Sequence, residues 1–266
     1  MLDCGFWYFP ILFVFGCKEG VPDCESLFCA AGGTVVCVGG ETTFHDVVFR
    51  NCSLVVLSGA HAALSTSTFC HHTLDVEAQD VGSSVIVHGQ NSKIVLSGGS
   101  ITGVMKGISV EAGASLEAVD LTISDIVLTG VEVKDEGSSL QLNSCNMHKF
   151  NGRTRAEVMS RGVHLHNQST AYIGTSTISC EGAHRGIDIC TQASATLAHC
   201  TILQYYMWGL YSSGRRYVSF TEGATGSLQG CTYSHGEEVQ ACLWKGGGVM
   251  FMSGTATAPL KHRETK

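Results

Sequence analysis

The sequence predicts an all-β chain, a right-handed parallel β-helix: a three-sided solenoid of about eight or nine coils entered through a short N-terminal capping helix. Three observations predict it. A ten-residue pattern recurs as ASLEAVDLTI (114–123), SSLQLNSCNM (138–147), STAYIGTSTI (169–178), ASATLAHCTI (193–202) and ATGSLQGCTY (224–233). In each copy apolar residues alternate, skip a two-residue corner, then alternate again, as in Leu140, Leu142, Cys145 and Met147. Period-two alternation marks a strand with one buried face. The copies end at Ile101, Ile123, Met147, Ile178, Ile202 and Tyr233, separated by 22, 24, 31, 24 and 31 residues. Three strands of four or five residues plus three corners fill the shorter interval, and the longer ones hold the same turn with an inserted loop. Finally, a short strand precedes each end marker: GISV (107–110), GVEV (130–133), GVHL (162–165), GIDI (186–189) and YVSF (217–220). Its leading glycine suits a corner needing positive φ or close backbone approach, and the right hand follows from the crossover preference of parallel strands.

In chain order, residues 1–20 stand apart. The run FWYFPILFVFG (6–16) has the length of a signal-peptide core, but Asp3 sits where a basic residue belongs. A cleavable signal, a truncated gene start and a greasy cap over the first coil all remain open. Asp23 is placed to cap a short helix with Leu27, Phe28 and Ala31 on its apolar side, stopped by Gly32-Gly33. The strand TVVCV and a Gly-Gly corner follow, and fainter coils end near Phe49 and Phe69. The β-helix domain is assigned to 21–258 and a polar tail to 259–266.

The bulk composition agrees. Glycine is abundant and proline nearly absent (32 against 3), as many tight corners within paired sheets require. A net charge of −7 argues against nucleic acid as partner. No apolar run reaches the ~18–20 residues of a membrane-spanning helix. A monomer is expected, secreted or at the cell surface, with the cytoplasm as the alternative. Asn51-Cys52-Ser53 and Asn167-Gln168-Ser169 match the glycosylation acceptor pattern. Cys145, Cys200 and Cys231 share one inward position, held elsewhere by Leu121 and Ser176, and read as small buried filler.

The capping helix, the glycine break, the TVV strand and the Gly-Gly turn at 23–44 resemble the entry into the coil of pectin-lyase-like proteins. The resemblance extends to about residue 255, in pattern more than identity, and implies the β-helix fold. It leaves function open, because that superfamily holds lyases, hydrolases, epimerases, adhesins and non-catalytic modules. The paired-Asp, His-Gly and Arg-Pro motifs of its enzymes are not matched in this chain.

Aligning the short strands makes a grid. Ile108, Val131, Val163, Ile187 and Val218 point inward, as do Val110, Val133, Leu165, Ile189 and Phe220. Ser109, Glu132, His164, Asp188 and Ser219 then point outward, followed by Glu111, Lys134, His166, Cys190 and Thr221. Lys106, Thr129, Arg161, Arg185 and Arg216 lead the strands. With coils ~4.8 Å apart, Glu132, His164 and Asp188 form a file bordered by cations. Insertions at 149–161, 204–216 and 234–248 overhang this face and carry Trp208, Tyr211 and Trp244, with Tyr205 and Tyr206, as candidate sugar-stacking rings.

The leading reading is a non-catalytic module that binds an extended ligand, a polysaccharide or peptide, along this face. The binding residues would be Arg161, Arg185, Arg216, His166, Lys106, Lys134, Trp208 and Tyr211. Its rival is a polysaccharide-active enzyme, a uronate lyase or C5-epimerase, with His164, flanked by Glu132 and Asp188, as candidate base or acid and the arginines clamping carboxylates. Inverting hydrolysis ranks lower, since the two acids, two coils apart, sit at the wide end of inverting separations of roughly 6.5–9.5 Å. A purely structural chain with cross-strand charge pairing is the third reading. No cofactor or metal is expected. No cluster of three or more acids offers a calcium site, and Cys17, Cys24, Cys29 and Cys37 lack CxxC spacing. His61, and His71-His72 beside Cys70, read as surface histidines.

Overall fold

Alternating apolar residues bury one face of each short strand, and parallel stacking gives every strand inside a sheet two hydrogen-bonded neighbours. The computed structural model describes residues 33–70, 83–150, 160–179, 185–203 and 216–234, and the flanking strands Ile11–Phe15, Asp23–Glu25, Phe28–Cys29, Cys242–Lys245 and Met250–Ser253. These strands form three parallel sheets of ten, ten and nine strands, visited in strict rotation. The chain is a right-handed parallel β-helix with three walls. The first wall includes Lys106–Glu111, Thr129–Lys134, Arg161–His166 and Arg185–Ile189; the second includes Ser115–Val119 and Ser139–Asn143; the third includes Thr122–Ile126 and Asn146–Phe150. No helix among the described residues is long and apolar enough to cross a membrane.

The repeat stacks as its periodicity predicts. Ile101, Ile123, Met147, Ile178 and Ile202 pair coil on coil along the third wall and are all fully buried. Towards the N-terminus this file continues into Phe69 and Phe49, whose rings stack with centroids 4.3 Å apart. The two-residue corner between the second and third walls begins with a left-handed residue in coil after coil: Asp46, Thr66, Asp120, Ser144, Thr175 and His199. The next residue turns inward. Cys145, Cys200 and Cys231 occupy that place as buried free thiols. Their S–H groups donate to backbone carbonyls, Cys200 to Ile173 at 3.1 Å and Cys231 to Leu197 at 3.5 Å, so a small side chain fills the corner and satisfies a carbonyl at once.

The glycines that lead the first-wall strands are required by close approach, since Gly107, Gly130 and Gly162 lie outside the positive-φ region. A Cβ on Gly130 would stand 2.6 Å from the carbonyl oxygen of Gly162, and one on Gly162 would stand 2.5 Å from that of Gly186. Glycine therefore stacks on glycine because successive coils leave no room for a side chain there.

The expected capping helix after Asp23 is corrected. Asp23–Glu25 and Phe28–Cys29 are strands, pairing with Thr43 to His45 and with Val48 and Phe49. A helix of nine or so residues is marginal by itself, whereas strand pairing with a coil already in place satisfies backbone groups directly. Ile11–Phe15, within the apolar N-terminal run, pairs in parallel with Thr34–Val38 and extends the first wall.

Candidate functional site

The outward file predicted on the first wall exists in register. Ser109 pairs with Glu132, Glu132 with His164, His164 with Asp188, and Asp188 with Ser219. The flanking inward residues Val131, Val133, Val163, Leu165, Ile187 and Ile189 are fully buried, so alternation throws the file to the outside of the wall. The neighbouring columns also hold: Lys106 aligns with Thr129, Arg161, Arg185 and Arg216, and Lys134 aligns with His166.

The file is outward without being open to water. The side chains of Glu132 and His164 retain 18% and 13% of their exposure, and Asp188 retains 1%. Such burial demands partners, and the wall supplies them. Arg161 Nε donates to Asp188 Oδ2 at 2.8 Å. Lys106 Nζ lies 3.5 Å from Glu132 Oε2, and Lys134 pairs with Glu111. Every lysine and arginine side chain described on this wall is thus held by an acid. The ammonium of Lys134 is pushed up in pKa, chiefly by its hydrogen bond to Glu111.

His164 stands at the centre. Its Nδ1 is 3.4 Å from Glu132 Oε1; its Nε2 faces Asp188 Oδ2 at 4.0 Å and the Cys190 thiol at 3.6 Å. His166, two residues on and therefore on the same side of the strand, places Nε2 at 3.4 Å from the same Glu132 oxygen. The two imidazoles stack at 4.4 Å and 19°. Contact with His164, then with His166, holds the Glu132 carboxyl far below the usual carboxylate range, against desolvation that acts the other way; Lys106 adds to the lowering. Burial pushes the Cys190 thiol up. Despite these short distances, neither His164 Nδ1 nor His166 Nε2 makes a hydrogen bond, and both atoms are buried. The Glu132, His164 and His166 donor atoms all lie within 4.8 Å of one another.

Of the residues singled out in the sequence, Glu132, His164, His166, Asp188, Arg161 and Lys106 come together in this cluster, and Lys134 sits one pair away on Glu111. Arg185 and Arg216 occupy their predicted strand positions. Trp208 and Tyr211, with Tyr205, Tyr206, His71 and His72, lie outside the described residues. His61 is exposed at the start of His61–Ser65. Sequence reasoning missed Cys190 as a neighbour of His164. It also missed that His164 and His166 converge on one Glu132 oxygen, although the His-Leu-His spacing on a strand was the available signal.

No protein-family model matches this chain, and no curated protein matches it.

Proposed function

We propose that this chain is a non-catalytic β-helix module that binds an extended polysaccharide or peptide along the outer face of its first wall. One observation carries the choice. Arg161, the candidate carboxylate clamp on the same strand as His164, is committed to the buried carboxylate of Asp188. β-Elimination or C5-epimerisation needs a cation free to neutralise the uronate carboxylate as the proton leaves C5; releasing Arg161 for that task breaks its pair with the 1% exposed Asp188 carboxylate. Hydrolysis fits less well still. An inverting pair needs space for a water and a sugar between its acids, and here the His164 imidazole stands between Glu132 and Asp188.

Among the described residues, the pairs Lys106–Glu132, Lys134–Glu111 and Arg161–Asp188 offer donors and acceptors along this part of the wall with little net charge. That suits an uncharged glycan or an extended peptide better than a polyuronate. The enzyme reading keeps one supporting feature, a histidine between two carboxylates, which is an arrangement suited to proton transfer.

A glycan-array screen of the full chain tests the proposal, followed by an assay for unsaturated uronate ends on every glycan bound. Retention of neutral glycans with no new ends is the expected result. New unsaturated ends that disappear in His164→Ala would replace this reading with the lyase.

A further inference from the structure

Two imidazole nitrogens and one carboxylate oxygen converge on the first wall, and two of the three are buried atoms without hydrogen bonds. Buried polar atoms are nearly always satisfied, and an exception calls for an explanation, of which a bound ion is one. Neither His164 Nδ1 nor His166 Nε2 completes a hydrogen bond to Glu132 Oε1, 3.4 Å away from each. One occupant would satisfy both of them and the carboxylate together.

The spacing identifies the kind of occupant. Glu132 Oε1 lies 3.4 Å from His164 Nδ1 and 3.4 Å from His166 Nε2. Ligand atoms on a tetrahedral ion with bonds of ~2.0–2.1 Å stand about 3.3–3.4 Å apart. The imidazole χ2 is a broad torsion, which gives both rings freedom to reorient about an ion. The surroundings also fit. His164 Nε2 has the Cys190 thiol at 3.6 Å and the Asp188 carboxylate, held by Arg161, at 4.0 Å, on the side where metal-bound histidines take an orienting partner. Lys106 approaches the other oxygen of Glu132, leaving Oε1 for the ion. Two imidazoles with a single carboxylate favour a borderline transition metal over calcium or magnesium, which require more oxygen ligands.

We propose that Glu132, His164 and His166 form a three-ligand site for a divalent transition-metal ion of the zinc class, with the fourth position left to water or a ligand oxygen. The site stands whatever lies along the wall, because it rests on the chain's own donors. It would tie two successive coils together through one ion.

The test uses the full chain, freed of metal with a chelator, kept reduced, and titrated with cobalt(II) alone and then zinc(II) alone. One cobalt per chain should bind, with the intense visible bands of a four-coordinate ion, no sulfur-to-cobalt charge-transfer band in the near ultraviolet, and displacement by zinc. Glu132→Gln and His166→Ala, each checked for native far-UV circular dichroism, should each weaken binding by more than about 100-fold, beyond the 10–100-fold range of outer-shell partners. Cys190→Ser should stay within about tenfold of the parent. Absence of uptake overturns the site. So does uptake unchanged in both ligand variants, or a strong sulfur charge-transfer band, which would assign binding to cysteines.

Discussion

Consider replacing Gly162 by alanine. The new Cβ would stand 2.5 Å from the Gly186 carbonyl oxygen, with Gly186 C at 3.4 Å and Ile178 Cγ2 at 3.5 Å. The oxygen is therefore roughly 0.9 Å inside ordinary van der Waals contact. It belongs to the backbone of the next coil, so relief requires the strand Arg185–Ile189 to move away from Arg161–His166. Overpacking of this kind costs about 1–3 kcal/mol. Alanine also restricts the unfolded chain, which returns about 0.4–1 kcal/mol. The net expectation is a loss of roughly 1–2 kcal/mol, or about 2–8 °C in Tm for a chain of this size. Urea unfolding followed by far-UV circular dichroism reads the loss directly, provided parent and variant each show one transition. Gly130→Ala makes the same demand one coil earlier, at 2.6 Å from the Gly162 oxygen. The double variant should depart from additivity because the two sites share a neighbour. A Gly162→Ala protein as stable as the parent, or more so, would refute the glycine column as a packing requirement.

Ile187→Asp places a carboxylate among fully buried apolar side chains; a loss of more than about 4 kcal/mol is expected, seen as failure to yield soluble folded chain. Arg161→Ala removes the guanidinium from Asp188, which is 1% exposed. Breaking a buried pair costs about 3–5 kcal/mol, and because Arg161 itself keeps 23% exposure the lower end is expected in equilibrium unfolding. His164→Ala should keep the fold while costing about 1–2 kcal/mol, since the ring is largely covered yet Glu132 and Asp188 retain Lys106 and Arg161. A loss above about 4 kcal/mol would mean that this ring sits inside the column.

The coil was legible because a solenoid writes its geometry as repetition. Leu140, Leu142, Cys145 and Met147 alternate about a corner, and the same offsets return in Ala195, Leu197, Cys200 and Ile202. Strand position, inward side and coil spacing all follow from local pattern, so the file Glu132, His164, Asp188 could be drawn before any coordinates. The N-terminal stretch is ambiguous in sequence for the opposite reason. Phe28 and Cys29 lie in a short segment compatible with either a helix or a strand, and only pairing with Val48 and Phe49 decides between them.

Side-chain direction within the outward face was beyond pattern. Alternation says that Asp188 points away from the core, but not that it is almost wholly covered or that Arg161 reaches it across a coil. Nor does it say that His164 and His166 bring their nitrogens to one Glu132 oxygen. The sequence alone determined the parallel coil and which residues share a wall, because both depend on a period repeated in every turn. The tertiary structure alone decided which charges pair and where three donors meet. Those choices depend on rotamers and burial between coils, which no single turn encodes.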